Sequence, residues 1–137
     1  MPLKPPLPHH LAEKIANKLN YRHQDSTVIA VVQEATTNQV LMVASMNREA
    51  VILTLTTGYA HFWSLSRKKV WMKGETSGNK LRVIDVIVDC DLDALLLRVE
   101  PLGPTCHTLK WSCFHNNLDM LLKEFEGKET IARKIVV

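Results

Sequence analysis

The chain has 137 residues, a formal net charge of +3 at pH 7, 46% hydrophobic residues and 23% charged residues. That is the size of one domain able to bury a core, with ordinary globular composition and too little charge to argue for a nucleic-acid partner by itself. No apolar run approaches the roughly 20 residues of a membrane span, and the N-terminus lacks a signal-peptide core. A cytoplasmic protein with reduced cysteines and no membrane partner is the expectation.

Residues 1–10, MPLKPPLPHH, hold four prolines and read as a flexible extended arm. Residues 11–137 are expected to form a single domain. Leu11, Ile15 and Leu19 recur at helical spacing and predict a first helix over 11–19. VIAVVQEA and QVLMVASM predict a hairpin turning at Thr36 to Asn38. Asn47 can cap a second helix from Arg48 to about Thr57, with Gly58 at its end. AHFWSLS and KKVWMKG read as short aromatic strands, and LRVIDVIVD and ALLLRVEPL as two apolar strands separated by Cys90 to Asp93. Asn116 or Asn117 can cap a third helix through LDMLLKEFE, stopped by Gly127. Many short strands and few helices predict a mainly β, mainly antiparallel fold, borderline α+β, over a wound βαβ fold.

Charge is segregated along the chain. Arg67, Lys68, Lys69, Lys73, Lys80 and Arg82 face only Glu75 in one stretch, and Asp85, Asp89, Asp91, Asp93 and Glu100 face only Arg98 in the next. Two solvated faces explain this, as does an anion-binding region beside a cation-binding one. Asp89, Asp91 and Asp93 alternate, so an extended strand would put all three carboxylates on one face with Cys90 on the other. Their repulsion has to be offset by solvent, a basic side chain or a hard cation such as magnesium. A polar turn between strands is the equal alternative.

The three cysteines, Cys90, Cys106 and Cys113, lack any Cys-x-x-Cys knuckle. Buried apolar thiols are one reading. Against it, none sits in an apolar run, and thiolates in polar turns select zinc. Three thiolates would leave a fourth position open for water, as at a catalytic zinc. His107 and His115 are then candidates for a general base or for a fourth ligand. A closed fourth position would instead make the zinc purely structural.

The runs WSLSRKKVWMKGETSGNK, VDCDLDALLLRVE and GPTCHTLKWSCF, with VLMVASMNREAVILTLTTGYAHFWS before them, resemble phosphoribosyl-AMP cyclohydrolase of histidine biosynthesis. The combination W-x-K-G-x-T-S-G, D-C-D-x-D and C-H-T-x-x-x-S-C-F is specific where no single piece is. The resemblance covers roughly Val28 to His115. It implies an enzyme that opens the adenine ring of 1-(5-phosphoribosyl)-AMP at N1–C6 by a zinc-activated water. It implies an intertwined homodimer, a compact antiparallel sandwich or pseudo-barrel with two or three helices. Zinc would be held at the subunit interface by Cys90, Cys106 and Cys113, magnesium by Asp89, Asp91 and Asp93, and His107 would be the catalytic histidine.

The substrate carries two phosphates, and the basic stretch offers Arg67, Lys73, Thr76, Ser77 and the backbone at Gly78. Phe62, Trp63, Trp71 and Trp111 could stack on the purine, but core packing is the expectation for most of them. The chain departs from the family pattern at Leu65, Leu81 and Leu109, where arginine, glutamine and glycine are usual. Many members are fused to a pyrophosphohydrolase domain, and the single-activity form is expected here. The zinc-deaminase signature is absent, and the neighbouring aspartates argue against nucleic-acid binding.

Overall fold

A computed structural model describes residues 3–124. Its elements in chain order are α1 (His9–Ala16), β1 (Val28–Glu34), β2 (Val40–Met46), α2 (Arg48–Thr57), β3 (His61–Ser64), β4 (Lys69–Met72), β5 (Leu81–Val88), β6 (Ala94–Pro101) and α3 (Leu118–Glu124). The fold is mainly β: six strands make one curled, half-barrel sheet in the order β4-β3-β2-β1-β6-β5. Every neighbouring pair is antiparallel except β1 and β6, which run parallel. The sequence reading has no parallel pair. Strand periodicity reports which face is buried and carries no sign of direction, and the partner of β1 lies sixty residues downstream.

Alternation sets the two faces. Val28, Ala30 and Val32 of β1, Leu95, Leu97 and Val99 of β6, and Leu81 and Val83 of β5 are buried, and they join Ala12 and Ala16 of α1 and Ala50, Val51 and Leu55 of α2 in one core. The other face leaves Val43 and Ile87 each 47% exposed. α2 begins and ends as its sequence predicts. The Asn47 side chain accepts a hydrogen bond from the Ala50 N–H at 2.9 Å, and Gly58 closes the helix in the left-handed conformation.

α1 starts at His9, two residues ahead of the expected Leu11, and stops at Ala16, short of Leu19. Just before it, the Leu7 N–H donates to the Leu55 carbonyl at 2.7 Å. Of the two candidate caps for α3, Asn117 is used, accepting from the Met120 N–H at 3.0 Å. The expected end of that helix, its stop at Gly127 and the tail KETIARKIVV lie outside the described residues. Among the described residues, no helix is long and apolar enough to cross a membrane.

Phe62 is fully buried and meets Trp71 at 5.5 Å between ring centroids. Trp63 and Trp71 are half-buried, but Trp111 is 42% exposed and is not core. Its indole N–H instead donates to Glu34 at 2.9 Å.

Candidate active site

The cysteine segment is anchored on β2. β3 meets β2 only at Ser45 and Trp63, so the start of β2 keeps a free edge. Ser112 and Cys113 take it: the Ser112 hydroxyl donates to the Val40 carbonyl at 2.7 Å, and the Cys113 N–H to the Leu41 carbonyl at 2.8 Å. Upstream, the N–H groups of Thr105 and Cys106 donate to the carbonyls of Trp111 and Lys110 at 3.1 and 3.0 Å. These bonds fold 105–111 into a closed turn that brings Cys106 back to Cys113.

Cys106 is buried and Cys113 exposed. The Thr108 hydroxyl donates to the Cys106 sulfur at 3.0 Å, and His115 Nε2 lies 3.7 Å from the same atom. The Thr108 hydroxyl first, then the Thr108 backbone, with smaller help from His115 and Cys113, pull the Cys106 thiol down to about 6. Burial pushes Cys113 up, and the neighbouring Lys73 ammonium partly opposes that. One thiolate beside one thiol, flanked by a hydroxyl and an imidazole, suits a soft metal.

Cys90 stands apart. It is exposed in the turn joining β5 to β6. Among the described residues, the only group of three or more His, Cys, Asp or Glu side chains with ligand atoms within 4.8 Å of one another is Asp89, Asp91 and Asp93. The three sulfurs therefore do not converge within one chain.

The aspartates do converge, though by a different route from the expected strand. They sit in a turn, with Leu92 at φ 63°. Asp89 shapes it by accepting from the N–H groups of Asp93 and Ala94, both at 3.1 Å. Asp93 is buried, while Asp89 and Asp91 are exposed. The hydrogen bond between Asp91 and Asp93 raises Asp91 and, with Arg22, holds Asp93 down at about 2. Arg22 and His23 are the residues that sequence reasoning missed: both reach Asp93 Oδ2, at 2.5 and 3.1 Å. A YRH segment has no motif value. Distant chain brings it to the acidic turn: the Asn20 N–H donates to the Leu92 carbonyl at 2.8 Å, and the Ile29 N–H, at the start of the β1–β6 pairing, to the Asp93 carbonyl at 3.0 Å.

The basic residues divide. Lys73 to Gly78 form one tight turn, closed by the Gly78 N–H on the Gly74 carbonyl at 2.8 Å. Thr76, Ser77 and Gly78 are exposed on it, and Asn79 packs against Gly103 just ahead of the cysteine segment. Arg67 lies in the turn joining β3 to β4, before β4 begins, whereas Lys73 follows the other end of β4. The structure does not gather it with the others. Lys68 is bound to Asp25 at 2.5 Å. Leu81 is fully buried in the core, so its position is a packing site.

His107 is exposed beside Cys106, and His115 is the histidine in contact with the sulfur.

Comparison with known proteins bears on this arrangement. The family profile of phosphoribosyl-AMP cyclohydrolase matches residues 42–115. The chain belongs to the phosphoribosyl-AMP cyclohydrolase family. The family match holds Lys73 to Gly78, the three aspartates, the three cysteines, His107 and His115, and leaves out Arg22 and His23. A protein named phosphoribosyl-AMP cyclohydrolase from Sulfurisphaera tokodaii is 58% identical over 111 residues, covering 81% of this chain and 94% of that one. Its namesake from Methanothermobacter thermautotrophicus is 55% identical over 104 residues, 74% and 75% of the two chains. Another namesake, from Sphingopyxis alaskensis, is 55% identical over 92 residues, 67% and 73% of the two chains.

Proposed function

We propose that this chain hydrolyses the N1–C6 bond of the adenine ring in 1-(5-phosphoribosyl)-AMP, the third step of histidine biosynthesis, as a cytoplasmic homodimer. The family match supports the reaction class. The observation that carries the site is its division: Cys106 and Cys113 meet in one chain, and Cys90 is held elsewhere. A second copy supplies the missing thiol most simply. The exposed apolar side chains support such a partner, with Leu109 74%, Phe114 63% and Leu122 78% exposed.

The donor sets fit two metals. Three thiolates, one already favoured at neutral pH, suit zinc, and three convergent carboxylates suit magnesium. Zinc held by Cys90, Cys106 and Cys113 would supply a Lewis acid that activates water near neutral pH.

The chain's own residues do the rest. Thr108 and His115 orient the Cys106 sulfur. His107, exposed on the same turn, delivers the proton to the departing N1. Lys73, Thr76, Ser77 and the backbone around Gly78 bind a phosphate of the substrate, and Arg67 contributes only from the turn before β4. Asp89, Asp91 and Asp93 hold the magnesium.

The test is a spectrophotometric ring-opening assay on purified protein with zinc and magnesium. Turnover abolished by a chelator and restored by metal is expected. A folded dimer carrying zinc that leaves phosphoribosyl-AMP intact overturns the proposal.

A further inference from the structure

A cavity of about 520 Å³ lies beside the cysteine segment, lined by Thr108, Lys110, His115, Asn116, Met120 and Lys123. Ligand sites commonly have this size. Two of its walls, Thr108 and His115, are the residues that touch the Cys106 sulfur. The cavity therefore borders the thiol pair. Its lining is mainly apolar, and its polar residues are Thr108, Lys110, His115, Asn116 and Lys123, with no carboxylate among them. Among the described residues neither lysine is held in an ion pair.

Lys110 is placed there by the fold. Its carbonyl accepts the Cys106 N–H at 3.0 Å, which fixes it at a set position relative to that thiol. The turn from Lys73 to Gly78 is a separate cationic region, with Lys73 acting on Cys113. The substrate proposed above carries two phosphate monoesters, one on each ribose, on opposite sides of the reacting purine. One cationic region cannot serve both.

We infer that the cavity seats one of these two phosphate monoesters, with Lys110 as its principal contact and Lys123 and Asn116 beside it. This rests on the proposed ring-opening reaction. Loss of a charge-assisted contact should raise KM at least about tenfold and leave kcat within a few-fold.

Steady-state kinetics on wild type, Lys110→Gln and a remote control, Lys14→Gln, tests it, with zinc content measured on each. Ribose 5-phosphate and AMP serve as competitive inhibitors. Wild-type turnover decides the reaction itself, separately from the cavity. The expected result is a raised KM in Lys110→Gln alone, with zinc retained. Weakened inhibition by ribose 5-phosphate assigns the cavity to the N1 arm of the substrate, and weakened inhibition by AMP assigns it to the other. Unchanged KM and unchanged inhibition by both compounds, in a wild type that turns over, overturn the inference.

Discussion

Arg22 and Asp93, 71 positions apart, form an ion pair that pins the segment after α1 onto the acidic turn. A metal bound at the proposed site would compete with the guanidinium for the same carboxylate. Arg22→Ala should lower Tm by roughly 5 °C without magnesium, because three crowded carboxylates lose their built-in cation. Magnesium should then raise the Tm of the variant more than that of the wild type. Thermal unfolding with and without the ion checks this. Equal magnesium shifts in the two proteins would show that Arg22 and the cation do not share the site.

If Cys90 works with Cys106 and Cys113 of another copy, the two halves can be broken separately. Cys90→Ala and Cys106→Ala should each abolish activity and bound zinc. Unfolded together and refolded as a mixture, they should recover about one quarter of wild-type activity: half of the dimers are mixed, and each has one intact site. Recovery of none would place all three thiols in one chain and sink the divided site.

The residues that converge through local turns were legible in sequence. Asn47 and Gly58 frame α2, the turn from Lys73 to Gly78 closes on itself, and the three aspartates meet within five residues. What could not be read depends on distant chain: Arg22 joins Asp93 only after β1 pairs in parallel with β6. His115, by contrast, is a candidate from its place just after Cys113, and the local turn over 105–111 brings it to Cys106.

Leu109 occupies a left-handed conformation, φ 68°, which favours glycine. A side chain there costs about 1–2 kcal/mol, and glycine loses about 0.5–1 kcal/mol to chain entropy. Leu109→Gly should therefore gain roughly 0.5–1 kcal/mol in denaturant unfolding of the metal-free protein. A loss would mean that the exposed leucine side chain is covered in the assembly and holds it together.

Burial pushes the Tyr21 phenol up to about 12, with Arg48 opposing it slightly. Its hydroxyl donates to the Ala16 carbonyl at 2.8 Å, closing the end of α1. The fold favours the neutral phenol. Its contribution is therefore complete below the ordinary value near 10 and is lost as pH rises towards 12. Tyr21→Phe should be about 1 kcal/mol less stable at neutral pH, through the lost hydrogen bond, and should lose less between pH 10 and 12. Parallel stability curves for the two proteins across that window would rule out Tyr21 as the titrating group.

Gly74 and Gly78 share a φ of +82° but not an environment. A Cβ on Gly74 would sit 2.4 Å from the Asn79 carbonyl carbon and 2.5 Å from the Lys80 nitrogen, whereas one on Gly78 meets nothing within 4 Å. Backbone atoms cannot step aside without opening the turn that presents Thr76 and Ser77. Gly78→Ala should cost only the left-handed penalty, about 1 kcal/mol, and leave KM within a few-fold. Gly74→Ala should be several-fold more costly to stability and raise KM at least tenfold or so, since misplaced donors lose their hydrogen bonds to phosphate. Kinetics and thermal unfolding of the pair decide the matter. If Gly74→Ala loses stability while KM stays put, the turn is structural and the phosphate lies elsewhere. If Gly78→Ala alone raises KM, the open space beside Gly78 is where the substrate sits.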